Sequence, residues 1–262
     1  MARRIPAPSS PLWQTARMRE IDYLKALRDD GTALATAARL GLDPPVPACQ
    51  GWTVADLVLH TGMVHRHKLE IVRGRLAEPP RPWPPPAPAR AELLGWYQQG
   101  LEELLTVLEV ADPEARVWTF HQPDQTVAFW CRRMAQETAV HRVDAESAHG
   151  DPRPVPAALA ADGVSELLEV FLAPHSEGEP VGGRGESLHL HATDTEGEWQ
   201  LRLLPAGVEV GRGHAQGVAA ASGDASDLLL FLWGRAPADP LERSGDPALL
   251  PRVRQLAAAA TQ

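Results

Sequence analysis

The chain has 262 residues, enough to bury one large hydrophobic core or two smaller ones. Its 25 lysines and arginines are outnumbered by 34 aspartates and glutamates, and a formal net charge of -9 argues against a nucleic-acid partner. The longest unbroken apolar run, Leu228 to Trp233, is too short to span a bilayer, and no signal-peptide core follows Arg3 and Arg4. We therefore predict a cytoplasmic protein with no nucleic-acid and no membrane partner, either a monomer or a homodimer.

Four helical patterns occupy the N-terminal part of the chain and predict a four-helix bundle. The predicted helices run over Leu12–Leu40, Val54–Arg75, Ala89–Glu109 and Gln125–His149. The second helix has the clearest start, because Thr53 can accept a hydrogen bond from the backbone of Asp56 while the Asp56 carboxylate reaches back.

Prolines mark the breaks between these patterns. Seven of the ten residues from Pro79 to Pro88 are proline, which predicts a stiff, extended connection between the second and third helices. A second break, from Gly150 to Pro156, precedes a change in hydrophobic periodicity. We place a domain boundary there, with a helical domain over residues 1–150 and a second domain over residues 151–262.

The C-terminal part combines helices with strands. Helical spacing covers Ala157–Leu172 and Asp224–Trp233, and a Gly-rich loop follows the first of these helices. Alternating patterns predict strands over Ser187–Thr193, Trp199–Leu204 and Val208–Gly211, with Gly217–Ser222 as a further candidate. The pattern predicts a small α+β domain with a mainly antiparallel sheet, so the chain as a whole belongs to the α+β class.

Three side chains on two helices form a candidate metal site. Glu137 and His141 are four residues apart on the fourth helix and so lie one turn apart on one face. His60 on the second helix supplies a third ligand, and two histidines with one carboxylate leave an open coordination position on zinc or a similar ion. Asp144 and Asp56 are placed to accept hydrogen bonds from His141 and His60 respectively.

Other conspicuous residues have plainer interpretations. His65 and His67 extend the pattern of the second helix beside charged residues and are expected to be solvated. Cys49 and Cys131 are too few for a disulfide framework, and we expect two reduced, apolar residues away from the ligand face. Arg235 follows an apolar helix, where its guanidinium can contact a substrate carboxylate or simply the helix dipole.

The stretches Gly51–His60, Glu137–Glu146 and Ser222–Arg235 resemble the mycothiol-dependent maleylpyruvate isomerase family of the DinB superfamily, in order and in spacing. This resemblance implies a DinB-like four-helix bundle that binds a divalent metal, usually zinc, through His60, Glu137 and His141. It also implies a C-terminal α+β domain similar to sterol-carrier folds. The motifs are specific for the family and unspecific for the reaction.

The first functional hypothesis is a metal-dependent enzyme that presents a small thiol, mycothiol by resemblance, to a small electrophilic substrate for transfer or isomerisation. Zinc suits the ligand set best, although nickel or another divalent ion is compatible with it. Arg235 is the candidate catalytic residue. The alternatives are a non-catalytic protein in which the metal only ties two helices together, and a carrier of an apolar ligand in the C-terminal domain.

Overall fold

A computed structural model, which describes residues 21–213 and 217–261, confirms the α+β class and the helical N-terminal region. Four long helices build this region: α1 (Tyr23–Ala38), α2 (Val54–Gly74), α3 (Leu93–Val110) and α4 (Val127–Ser147). A short 3-10 turn, Arg90–Glu92, leads into α3.

Within the described residues, helix α1 begins at Tyr23 and follows the non-helical Ile21 and Asp22. The predicted residues 12–20 lie outside the described residues, and within the described part Asp22 caps the helix by accepting a hydrogen bond from the backbone of Lys25. The capping box of α2 is confirmed, because Thr53 accepts from the Asp56 backbone at 3.4 Å and donates its own N–H to Asp56 at 2.8 Å. Thr53 thereby sets where α2 starts and which of its faces points inward.

Helix α4 is the central helix of the molecule, and nearly every residue from Val127 to Ala145 is buried. It packs against α1 and α2, and an ion pair and a hydrogen bond join it to the start of the C-terminal half. Polar residues of α4 bind that half directly: Arg132 pairs with Asp162 at 2.9 Å, and Gln136 donates to the Leu159 carbonyl at 3.0 Å. The helix that carries two candidate ligands is therefore held by both halves of the chain.

The predicted helix over Ala157–Leu172 is present with a change of winding. It runs as α5 (Ala157–Glu166), widens into a π-helix over Leu167–Leu172, and ends as the short α6 (Ala173–Ser176). Such π-helical turns are frequent at functional sites.

Five strands form one sheet in the order β3-β2-β1-β4-β5, with β1 and β4 parallel and the other neighbours antiparallel. The strands are β1 (Glu186–Ala192), β2 (Glu198–Leu204), β3 (Gly207–Arg212), β4 (Ala219–Gly223) and β5 (Glu242–Gly245). Helix α7 (Ala225–Leu232) follows β4, and α8 (Leu249–Ala260) ends the described chain. The mainly antiparallel sheet is as predicted.

Two C-terminal elements were not predicted from the sequence. Strand β5 has four exposed residues, so it has no hydrophobic alternation, and only pairing with β4 makes it a strand. Helix α8 carries Pro251 in its first turn, where the missing N–H costs no helical hydrogen bond. Its apolar residues Leu249, Leu250, Val253 and Ala257 are buried.

One hydrophobic cluster extends from the bundle into the sheet domain. Tyr23 and Trp130 belong to it in the bundle, and Leu201 and Val253 belong to it in the C-terminal half. The side chain of Trp199, fully buried on β2, donates to Ser165 of α5 at 3.0 Å. The boundary between residues 150 and 151 stays a prediction about chain organisation, and the two sides share a core.

Within residues 21–213 and 217–261, no helix is both long enough and apolar enough to cross a membrane.

Candidate active site

Helices α2 and α4 bring together the three residues predicted as metal ligands. The ligand atoms of His60, Glu137 and His141 all lie within 4.8 Å of one another. Oε1 of Glu137 lies 3.4 Å from Nε2 of His60 and 3.3 Å from Nε2 of His141. One carboxylate oxygen and two imidazole nitrogens therefore face a common point.

The second carboxylate oxygen of Glu137 is held by Arg133, one helical turn earlier on α4. Arg133 is buried and also pairs with the buried Glu166 of α5. Burial by itself raises the pKa of Glu137, but His141 and Arg133 outweigh that effect and hold the pKa well below its ordinary value. Glu137 is therefore a carboxylate whose free oxygen points at the histidines.

His141 is oriented by Asp144. Nδ1 of His141 lies 2.9 Å from Oδ2 of Asp144, so the predicted hydrogen bond is present and Nε2 is left to face Glu137. Burial lowers the pKa of His141, but Glu137 and Asp144 outweigh it and raise the pKa to about 9. Asp144 is fully buried and keeps a lowered pKa because His141 and Arg235 outweigh its burial.

Arg235 lies beside the candidate ligands, and within the described residues its side chain binds Asp144 and the backbone of Trp233. Its Nε and Nη2 donate to the two oxygens of Asp144, both at 3.1 Å, and Nη1 donates to the Trp233 carbonyl at 2.7 Å. Nε and Nη2 thus bind Asp144, and the contact of Arg235 with a substrate carboxylate stays a prediction. In this arrangement Arg235 acts on the site through Asp144 and His141.

The expected role of Asp56 beside His60 is wrong. The Asp56 carboxylate bonds the backbone and hydroxyl of Thr53 in the capping box, at 2.8 and 2.6 Å, and is thereby committed to the helix start. The neighbour of His60 is instead Trp52, whose ring centre lies 5.0 Å from that of the imidazole.

The three candidate ligands and Arg235 border a cavity of about 480 Å³, a volume typical of small-molecule sites. His60 keeps 39% of its side chain exposed and Glu137 keeps 17%, so the cluster is open to solvent on the side of His60. Aromatic side chains from the loops, from α4 and from the π-helix form much of the wall. The lining residues are Cys49, Gln50, Trp52, His60, Val64, Lys68, Phe120, Trp130, Arg133, Met134, Glu137, His141, Phe171, Trp233, Arg235 and Thr261.

Cys49 lines this cavity, which corrects the expectation that neither cysteine is near the ligand face. Its thiol lies 3.6 Å from Oδ2 of Asp144 and 3.7 Å from Nη2 of Arg235. Burial and Asp144 raise the pKa of Cys49 to about 11, with Arg235 opposing them, so the thiol stays protonated near neutral pH. Burial also raises the pKa of Cys131 to about 11. Neither cysteine is prepared as a nucleophile.

The two histidines expected to be solvated are in fact enclosed. His65 is fully buried, with Nε2 2.9 Å from the Thr138 hydroxyl, and burial lowers its pKa to about 3. His67 is half-buried between Trp83 and Trp118, and burial lowers its pKa to about 4. Tertiary packing supplied these surroundings, because the charged neighbours of both histidines on α2 indicated a solvent face.

Arg133 and Lys68 are the cavity residues that the sequence analysis missed. The spacing of Arg133 and Glu137, four apart on one helix, was a usable signal for the first of them. Lys68 follows His60 by eight residues, so the two share a face of α2, as does Val64 between them.

The fold and the site together define a class of protein: a helical bundle with a His, Glu and His cluster, joined to a small α+β domain. Two family models match the chain: the mycothiol maleylpyruvate isomerase N-terminal domain over residues 24–146, and the C-terminal domain of the same family over residues 158–252. The chain belongs to the mycothiol-dependent maleylpyruvate isomerase family.

Solved structures of the family have the same fold. A crystal structure of the mycothiol-dependent maleylpyruvate isomerase superposes with a TM-score of 0.60 at 15% identity, and a mutant of that enzyme superposes with a TM-score of 0.61, also at 15% identity. Each comparison covers 86% of this chain and 93% of the other. No curated protein matches the chain significantly.

Proposed function

We propose that this protein is a divalent-metal-dependent and mycothiol-dependent enzyme that isomerises, or transfers a thiol to, a small electrophilic substrate such as maleylpyruvate. The observation that carries the proposal is the convergence of His60, Glu137 and His141 at a solvent-accessible cavity. Membership of the family supplies the thiol and the substrate class.

The donor set fits a metal ion. Two imidazole nitrogens and one carboxylate oxygen are ligands that zinc accepts, with nickel and other divalent ions as further candidates. The carboxylates of Glu137 and Asp144, which raise the pKa of His141, would also attract a metal cation. The cluster of metal-binding side chains found in residues 21–213 and 217–261 has three members, which leaves room for an exogenous ligand. A bound ion would act as a Lewis acid and lower the pKa of a thiol.

The residues around His141 and Glu137 hold these two candidate ligands in position. Asp144 accepts the Nδ1 proton of His141, so Nε2 is the nitrogen that faces the cluster and would bind an ion once its own proton is released. Arg235 fixes both oxygens of Asp144, and Arg133 fixes the outer oxygen of Glu137. Because these contacts hold the ligand side chains in one orientation, the site has little need to reorganise during the reaction.

The nucleophile comes from outside the chain. Both cysteines have pKa values raised to about 11, whereas an added small thiol supplies a sulfur that can attack a conjugated double bond and be expelled after rotation. The aromatic wall, which includes Trp130 and Phe171, would enclose the flat conjugated substrate and exclude water.

The proposal is tested by measuring bound metal and turnover on one purified sample. We expect one divalent ion per chain and isomerisation of maleylpyruvate only when mycothiol is added. His60→Ala should lose both, while Cys49→Ala with Cys131→Ala should keep both. Thiol-independent turnover that disappears in the double cysteine variant would overturn the mechanism.

The same experiment distinguishes the proposed enzyme from a non-catalytic protein in which the metal has a structural role. If the ion is bound and its removal lowers the melting temperature, but no electrophile is turned over with any thiol, the metal has a structural role. The carrier alternative would require an apolar cavity within the C-terminal domain, whereas the described cavity contains Lys68, Arg133, Glu137 and Arg235.

A further inference from the structure

Lys68 differs from the two arginines that line the cavity, because each of those arginines pairs with a carboxylate. Arg133 pairs with Glu137 and Glu166, and Arg235 pairs with both oxygens of Asp144. Within the part of the chain that the structure describes, Lys68 forms no ion pair or hydrogen bond with a carboxylate, although it lines the same cavity.

The surroundings of Lys68 disfavour the charged form of its side chain. Its Nζ lies 5.0 Å from the ring centre of Trp130, a cation–π contact that only partly replaces water. Burial lowers the pKa of Lys68 to about 8, Glu137 opposes the decrease, and Arg133 adds to it. Lys68 is half-buried, and a cation that is partly withdrawn from water without an anionic partner is unfavourable unless a ligand supplies one.

The position of Lys68 relative to the candidate metal ligands is also informative. His60, Val64 and Lys68 are spaced by four residues along α2, and all three line the cavity. Eight residues of helix correspond to about 12 Å along the axis, and the Lys68 head group lies over Trp130, which lines the same cavity. A substrate that reacts beside His60 would therefore extend along this cavity toward Lys68.

We propose that Lys68 binds a carboxylate of the substrate and is a specificity-determining residue of this site. The inference rests on the proposed function for the reaction but makes its own claim about binding: the ligand must be an anion. Glu137 does not compete for Lys68, because its two oxygens face the histidines and Arg133. A carboxylate that enters the cavity finds a cation whose charge is not already compensated.

The test is calorimetric titration of the metal-loaded protein with succinate, an unreactive dicarboxylate, and with succinamide, its neutral analogue. We expect Lys68→Met to weaken succinate binding at least tenfold and Lys68→Arg to stay within about threefold of the native chain, since a charged hydrogen bond contributes in this range. Arg73→Met is the matched control, because it removes one cation from the exposed surface of the same helix and should leave the affinity unchanged.

Steady-state kinetics provide a second measurement. Lys68→Met should raise the KM for the carboxylate substrate at least tenfold with little change in kcat or in the KM for mycothiol. A native chain that binds no succinate, or a Lys68→Met variant that binds it normally, would overturn the proposal. So would an equal loss of succinamide binding, because that indicates collapse of the cavity. If succinate binding depends on Lys68 but no substrate is turned over, the anion site stands and the proposed enzymatic function fails.

Discussion

Two of the three candidate metal ligands, His141 and Glu137, have a partner that fixes their orientation. Asp144 determines which nitrogen of His141 carries the proton, and Arg235 holds Asp144 from the C-terminal half of the chain. Arg133 does the same for Glu137. Residues that never touch the ion are therefore expected to set its affinity.

Asp144 and Asp56 make a matched pair for testing this. Asp144→Asn keeps the shape of the side chain but loses the charge that His141 and Arg235 bind, so we expect zinc affinity to fall about 10- to 100-fold. Asp56→Asn removes the same charge from the capping box of α2 and should leave zinc affinity unchanged while lowering the thermal midpoint slightly. Competition with a chromogenic chelator measures the affinities, and equal values for the two variants would contradict this role of Asp144.

At the scale of elements, the site depends on how closely helices approach one another. Gly163 on α5 is helical, where alanine is normally the better residue, but it faces α4 and α7. A Cβ at this position would lie 2.5 Å from Oε1 of Gln136 and 2.9 Å from a methyl carbon of Leu229. The Gln136 amide cannot easily move, because its nitrogen donates to Leu159 and Asp162.

We expect Gly163→Ala to lower the free energy of unfolding by about 1 to 3 kcal/mol, the usual cost of overpacking. Gly95→Ala is the control, since Gly95 is also helical, is exposed, and has no atom within 4 Å of an added Cβ. That change should stabilise the protein by about 0.5 to 1 kcal/mol through helix propensity. Urea titration of both variants measures the two effects, and stabilisation by Gly163→Ala would show that α5 does not approach α4 this closely.

At the scale of the whole molecule, the site lies where the two halves of the chain meet. The candidate ligands come from the bundle, while Arg235 and Phe171 come from beyond residue 150. The hydrophobic cluster that joins the halves makes this geometry rigid, because neither side can separate without exposing buried side chains.

This shared core predicts that the halves unfold together. Leu201→Ala removes a fully buried side chain from β2, and we expect a loss of about 2 to 5 kcal/mol. In native-state hydrogen exchange, the slowest amides of α4 and of β2 should lose the same protection. A variant in which the amides of α4 keep their native protection would show that the bundle is independently stable.

The sequence by itself determined the class of fold, the start of α2 and the identity of the three converging residues. These features are local: capping needs residues three apart, a helical face needs residues four apart, and the family motifs are short. Tertiary structure decided the rest. That Arg235 binds Asp144, that Cys49 lines the cavity and that His65 is buried all depend on chain segments far apart in sequence. Burial and charge compensation follow from packing in three dimensions, and no local pattern encodes them.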